Sequence, residues 1–454
     1  MFRGKVRQIH FVGIGGTGMN GIAEVLLNLG FQVSGSDLRA GASVQRLRRL
    51  GATVHIGHAA ENIEGADVVV KSTAVGLDNV EVREAALRHI PVIRRAEMLA
   101  ELMRMKYGVA VAGTHGKTTT TSMLATVMGE AGLDPTIVIG GKLNAIDSNA
   151  RMGEGDFLVA EADESDGSFM VLSPTVAVIT NIDPEHLDHY GSFETLKETF
   201  VAFANKVPFF GFAVVCVDHP VVQEILPRLN RRVITYGTSR QADLRAENVR
   251  RDGLTTVFDV ARGDEVLGPV TLRMPGEHNV LNALATLATA LELDIPFEAA
   301  ARGVGAFDGV QRRFTVRADV DGVLIVDDYG HHPVEIAATL QGAREGFPGR
   351  RVIGVFQPHR YSRIRDLHSD FCRAFNAADH VVVTPVYAAG EEAIELPDMA
   401  EGLVAHGHRS VQSVADLDGA VQHLLQMVQP GDIVITLGAG NVNRVCDDLA
   451  AALG

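Results

Sequence analysis

The stretch VAVAGTHGKTTTTSML, residues 109–124, decides how the rest of the chain is read. Small and β-branched residues predict a buried strand, glycines, a lysine and threonines interrupt it, and a run without breakers then predicts a helix. A chain built in this way forms a phosphate cradle. Backbone N–H groups at the helix start point outward unpaired, the helix dipole favours an anion, and glycine lets the backbone come close. The usual spacing, G-x-x-x-x-G-K-[ST], asks for a glycine five places before Gly116, where this chain has Val111. What remains still serves. Gly113, Gly116, Lys117 and Thr118 keep the cradle, a point charge for the β- and γ-phosphates and a hydroxyl for Mg²⁺, so the stretch reads as an ATP or GTP site.

Working outward, residues 8–105 alternate short apolar runs (QIHFVG, FQVSGSD, DVVVKST, PVIRR) with helical patterns, the rhythm of parallel βαβ units. The strand VAVAG opens a second series with PTIVIGG, DFLVAEAD, PTVAVITNID and FAVVCVD. From Arg232 to Pro275, turn signals such as RRDG and ARGDE predict antiparallel hairpins appended to this second domain, and the helical run HNVLNALATLATALEL closes it. A third series begins near Arg312 with GVLIVDD, RRVIGVFQ, HVVVTPV and DIVITLGAGN. The expectation is three α/β domains in succession, 1–106, 107–310 and 311–454.

Composition agrees. A chain of 454 residues accommodates about three domains, and 46% hydrophobic with 21% charged residues is ordinary for a soluble globular protein. Cys216, Cys372 and Cys446 lack C-x-x-C spacing, which predicts neither a disulfide framework nor a zinc site and suits a reducing compartment. No signal peptide or membrane span is read, so a cytoplasmic protein with no membrane partner is expected. A formal net charge of −15 argues against nucleic-acid binding and leaves any anionic substrate to local donors.

GIGGTG satisfies G-x-G-x-x-G through Gly13, Gly15 and Gly18, with Asp37 at the end of the next predicted strand, where a ribose-binding acid would sit. Taken alone this suggests NAD, but a sugar nucleotide offers the same diphosphate. FLVAEADESDGSF ends an apolar run in Glu161, Asp163, Glu164 and Asp166, and VAVITNIDPEHLDHY ends another in Asn181, Asp183, Glu185, His186, Asp188 and His189. Two strands that both end in hard ligands suggest a Mg²⁺ setting near Thr118, where either run alone would read as a solvated loop. In FQPHRYSR, Arg360 and Arg363 present carboxylate forks beside His359, or else salt bridges between domains. GEHNVLNA places Asn279 and Asn282 one helical turn apart, able to read a base edge or simply to pack.

With GTHGKT, EADESD, TNIDPEHLDHY, EHNVLNA, DDYGHHP and PHRYSR all in order, the sequence resembles the Mur ligase family over essentially its whole length. The family's loop, G-T-x-G-K-[ST], lacks the early glycine, so Val111 fits it. The resemblance implies an N-terminal Rossmann-like domain for a UDP sugar, a central P-loop-type ATPase domain with an antiparallel β addition, and a C-terminal Rossmann-like domain for an amino acid. It implies that Gly15, Gly16, Thr17, Gly18, Asp37 and Ser72 meet the UDP sugar. Gly113, Thr114, Gly116, Lys117, Thr118 and Thr119 would hold the ATP phosphates, Asn279 and Asn282 the adenine, and Arg313 and Asp328 the rest of the nucleotide. Mg²⁺, or Mn²⁺ in its place, would sit on Thr118, Glu161 and His186. Tyr329, His331, His359, Arg360 and Arg363 would form the amino-acid pocket, with His359 or His331 as a base and Lys117, His186, His359 and Arg360 as the catalytic set.

The implied reaction joins L-alanine to UDP-N-acetylmuramic acid through an acyl phosphate, in peptidoglycan precursor and cell wall synthesis, by a monomer or weak homo-oligomer. Three alternatives stand beside it: a recycling ligase that attaches the stem tripeptide, a dehydrogenase using GIGGTG, and a non-catalytic nucleotide-binding regulator. Several family members carry a carbamylated lysine after a D-H-x-D-like motif. Neither Lys197 nor Lys206 falls at that spacing, and no carbamylation is expected.

Overall fold

The strands expected in residues 8–105 form a five-stranded parallel sheet: β1 (Gln8–Val12), β2 (Gln32–Asp37), β3 (Thr53–Ile56), β4 (Val68–Lys71) and β5 (Val92–Arg94). Its order, β3-β2-β1-β4-β5, reverses direction between β1 and β4. In open α/β sheets ligands bind at such a switch point, beyond the carboxyl ends of the strands. This computed structural model describes residues 6–72, 74–143 and 148–454.

The central sheet has ten strands: β6 (Tyr107–Ala112), β7 (Thr136–Leu143), β8 (Ser148–Arg151), β9 (Phe157–Glu161), β10 (Val176–Ile179), β11 (Phe212–Cys216), β12 (Val233–Gly237), β13 (Leu244–Asp252), β14 (Thr255–Arg262) and β15 (Glu265–Leu272). Their order is β15-β14-β13-β12-β11-β10-β6-β9-β7-β8, with β7 and β8 antiparallel and the hairpin strands β13–β15 extending one end. What positions chemistry is that β6 lies between β9 and β10, parallel to both. The phosphate loop after β6 is therefore flanked by the two strand ends that carry the acidic clusters. Val109, Val111, Val159 and Val178 are fully buried, as expected for parallel strands covered on both faces.

The third sheet contains β16 (Thr315–Val320), β17 (Val323–Asp328), β18 (Arg351–Phe356), β19 (His380–Val383), β20 (Val411–Ser413) and β21 (Asp432–Leu437), in the order β16-β17-β21-β18-β19-β20. Only β16 runs antiparallel. Alternate residues of β17 serve two cores, Leu324 and Val326 on one face and Val323 and Ile325 on the other. Cys372 lies in the first of these cores and Cys446 in the second, while Cys216 is buried in β11; all three thiols are free.

Three α/β sheets thus appear where three were expected. By contacts the chain groups into two compact units, one of residues 1–247, 259–270 and 281–308, the other of residues 248–258, 271–280 and 309–454. Among the described residues no helix is long and apolar enough to cross a membrane.

Candidate functional site

At the switch point of the first sheet, Gly13 follows β1 with φ +81°, and a Cβ on it would lie 3.4 Å from Ser72 Cβ, after β4. A cleft of about 410 Å³ opens there, lined by Gly13, Gly16, Asp37, His58, Ser72 and Asn79 among others. Gly16 caps the helix Thr17–Asn28, whose start faces the sheet's ligand edge; the Thr17 side chain lies outside the described atoms. Asp37, expected as a ribose acid, also braces the loop: it accepts a hydrogen bond from Gly15 N at 2.8 Å, and a Cβ on Gly15 would lie 2.9 Å from its carboxylate. Gly18 is needed for a different reason, because a Cβ there would sit 2.7 Å from a guanidinium nitrogen of Arg95.

Behind His58 runs a buried relay that sequence reading missed. Ser36 Oγ bonds His58 Nδ1 at 2.9 Å and donates to Glu81 at 2.5 Å, Asn62 donates to Glu81 at 2.6 Å, and His10 closes the far side at 3.5 Å. Burial pushes the Glu81 carboxyl up, but the donors from His10, Ser36 and Asn62 outweigh it and hold it down at about 2.

In the central sheet, the loop after β6 takes the cradle shape. Gly113 has φ +131° and Gly116 φ +83°, conformations that residues with a Cβ rarely adopt. The loop is braced from β10: His115 N donates to Asn181 Oδ1 at 2.7 Å, and Thr180 Oγ1 donates to His115 O at 2.6 Å. The helix Lys117–Glu130 follows at once. Asn282 packs against the loop, accepting from Thr120 at 3.2 Å and lying 2.5 Å from where a Gly116 Cβ would be. Thr119 is buried in the first turn of that helix.

Lys117 Nζ folds back onto Gly113 O at 2.6 Å and Thr114 O at 3.1 Å, and pairs with Glu164 at 2.9 Å. Burial opposes the ammonium charge, yet Glu164, Asp163 and Glu161 more than restore it and its pKa is raised. Glu164 is itself raised to about 7, chiefly by burial. Thr118 Oγ1 donates to Glu161, which also accepts from Gly140 N. A hydroxyl and a carboxylate in contact, with Asp163 and Glu164 close by, form the hard-oxygen setting that suits Mg²⁺. His186 caps a short helix with φ +56°, its ring 3.5 Å from Glu185. Lys197 pairs with Glu194 and Glu224, and Lys206 donates to Met170 O.

In the third sheet, Asp328 ends β17 buried and accepts from Phe314 N at 2.8 Å and Gly330 N at 2.7 Å. Burial raises its pKa against the opposing charge of Arg313. Arg312 and Arg313 lie over the Tyr329 ring at 5.1 and 5.3 Å. From there an aromatic series continues: Tyr329 edge-on to His331, His331 to His359 at 5.8 Å, and His359 stacked on Tyr387 at 5.5 Å. Burial lowers both histidines, His359 to about 4, with the Arg363 charge adding to the effect. Arg360 stands at φ +69° with its guanidinium on Glu391 at 2.8 Å. Asn279 is buried and donates to Pro275 O at 2.8 Å. Tyr329, His331, His359 and Arg360 are thus brought together, with Arg363 near enough for its charge to act on both rings.

Three family models cover most of the chain: the Mur ligase family catalytic domain matches residues 8–107, the Mur ligase middle domain 111–290 and the Mur ligase glutamate ligase domain 312–440. The chain belongs to the Mur ligase family. Among relatives of this Mur ligase is the UDP-N-acetylmuramate–L-alanine ligase of Pelobacter propionicus, 58% identical over 97% of this chain and 96% of that one. The enzyme of the same name from Geobacter sulfurreducens is also 58% identical, over the same shares. The solved structure of UDP-N-acetylmuramate-alanine ligase from Thermotoga maritima superposes with a TM-score of 0.82 at 29% identity, covering 98% of both chains. A murein peptide ligase from Psychrobacter arcticus gives 0.70 at 25% identity over 99% of both. Membership of this family implies the use of ATP.

Proposed function

We propose that this Mur ligase joins L-alanine to UDP-N-acetylmuramate at the expense of ATP, in cytoplasmic peptidoglycan synthesis. The observation that carries the reading is the phosphate loop held between two strand ends, with Lys117, Thr118 and Glu161 converging on one point. Relatives of full length and 58% identity bear the name of this alanine ligase, which favours it over the tripeptide enzyme.

In the proposed reaction a sugar-borne carboxylate oxygen attacks the γ-phosphorus of ATP and ADP leaves, giving an acyl phosphate. The amine of alanine then attacks the acyl carbon, phosphate leaves, and the amine proton passes to a nearby acceptor. Phosphoryl transfer of this kind needs positioning and charge neutralisation rather than covalent help from the protein. Backbone N–H groups of residues 113–118 cradle the phosphates, and Lys117 leaves Glu164 for the γ-phosphoryl oxygens. Thr118 and Glu161, with His186, would hold Mg²⁺, which neutralises charge on those oxygens. The cleft between β1 and β4 takes the UDP group through Gly15, Gly16, Thr17, Gly18, Asp37 and Ser72. Asn279, Asn282, Arg313 and Asp328 take the rest of ATP. Arg360 and Arg363 take the alanine carboxylate. His359, held neutral at pH 7 by its low pKa, offers the amine a lone pair instead of a like charge. We take the domain boundaries to lie near residues 107 and 311.

The test is phosphate release from Mg-ATP with UDP-N-acetylmuramate, comparing L-alanine, the stem tripeptide and no amine. Release that requires L-alanine supports the reading, and turnover with the tripeptide alone replaces it by the recycling ligase. Lys117→Ala is expected to lower turnover on the order of a hundredfold or more, since the lost interaction is strongest in the transition state. Near-normal release by that variant would remove Lys117 from the mechanism.

A further inference from the structure

Arg95 starts the helix Arg95–Met103 directly after β5, and its side chain is 22% exposed. Its guanidinium lies against the first turn of the helix Thr17–Asn28, 2.7 Å from where a Gly18 Cβ would be. On its other side it faces Asp163 at 3.6 Å, a partner 44% exposed and too distant for a hydrogen bond. Among the described residues this is the only charged partner of Arg95, and its guanidinium makes no hydrogen bond.

Arginines with a structural task in this protein look different. Arg351 forks onto Asp432 at 3.0 and 2.6 Å, and Arg312 spends three nitrogens on Asp327, Gly438 O and Gly440 O. Arg95 is held in place by packing with its donors unspent. A half-exposed pair at the Asp163 distance contributes little, so a better-placed carboxylate displaces it readily.

Its position identifies the ligand group. On one side is the helix start beside the first sheet's cleft, where backbone N–H groups would serve the proposed UDP diphosphate. On the other is the acidic loop that holds Lys117: Asp163 is adjacent to Glu164, and the charges of Lys117 and Arg95 both act on it. A carboxylate carried on the sugar must pass from the first to the second to be phosphorylated. We infer that Arg95 receives this carboxylate in a two-pronged ion pair, taking the place of Asp163, and so selects UDP sugars that bear an acid. The inference rests on the proposed ligase reading.

Calorimetric titration of the full chain without ATP or Mg²⁺ tests it, using UDP-N-acetylmuramate and UDP-N-acetylglucosamine, which differ by the lactyl acid. Wild type is expected to prefer the acid-bearing sugar by roughly ten- to a hundredfold, the range of a charge-assisted paired hydrogen bond. Arg95→Gln is expected to erase that preference by weakening only the muramate. Equal weakening of both ligands, or an undiminished preference, overturns the assignment. Should circular dichroism show Arg95→Gln to be unfolded, Arg95→Lys carries the test, retaining the charge and losing the fork, with a reduced but measurable preference expected. A wild type that binds neither sugar nucleotide would instead overturn the ligase reading itself, before any variant is compared.

Discussion

At the scale of the residue, the first sheet holds a carboxylate whose worth depends on pH. Glu81 is fully buried and its pKa is about 2, against an ordinary 4.5. A group depressed on folding contributes its stability above the unfolded pKa and loses it as pH falls through the folded one. The stability of the wild type is therefore expected to drop between pH 4.5 and about 2. Glu81→Gln, which cannot titrate, should be less stable at pH 7 and lose less over that window. Urea midpoints measured across the range check this, and parallel slopes for the two proteins would deny Glu81 the role. This residue also marks the limit of what the sequence shows. The loop was legible because strand, glycines, lysine and threonine follow one another along residues 109–119. Glu81 meets His10 across 71 residues, and Lys117 meets Glu164 across 47, pairings that exist only once the sheets are assembled. Arg95 was invisible for the same reason. Asp37 was singled out as a ribose acid, and the hydrogen bond by which it braces Gly15 is visible only in the folded loop.

At the scale of the element, the strand–loop–helix unit of residues 107–130 depends on two left-handed glycines. Gly116→Ala must place a methyl group 2.5 Å from Asn282 Oδ1 while holding φ at +83°. A cost of about 1–3 kcal/mol is expected, with weaker ATP binding, measurable by thermal unfolding with and without nucleotide. If stability and nucleotide affinity were unchanged, the loop would be looser than its geometry indicates. Elements with strong apolar periodicity, such as β1, β6, β10, β17 and β21, were readable from sequence. Four short edge strands were not, although β5, also at an edge, was read in PVIRR. β3 (TVHI), β8 (SNAR), β16 (TVRADV) and β20 (VQS) are four, four, six and three residues long, and each lies at or next to a sheet edge where only one face needs apolar side chains. Such segments carry too little pattern to separate from loops.

At the scale of the whole molecule, three sheets share one economy: each keeps its apolar strands inside and delivers polar side chains at their carboxyl ends. Val111 shows this locally, a buried strand residue where another phosphate loop would have glycine. The three free cysteines show it too, because they were placed by packing. Burial pushes the Cys216 thiol up to about 11 and Cys446 up to about 12, and raises Cys372 as well. A thiol reacts as its thiolate, so none of the three should react with an alkylating reagent while its surroundings stay closed. Reaction instead requires the chain to open, and its rate then reports how often that happens. Cys216 samples the central sheet, while Cys372 and Cys446 sample the opposite faces of the third. Mass spectrometry of alkylated peptides should give three separate labelling rates, and Mg-ATP should slow the rate at Cys216 if nucleotide binds the central sheet. The native sequence thus carries three internal clocks, one for each of three packed layers, and they can be read without introducing a probe.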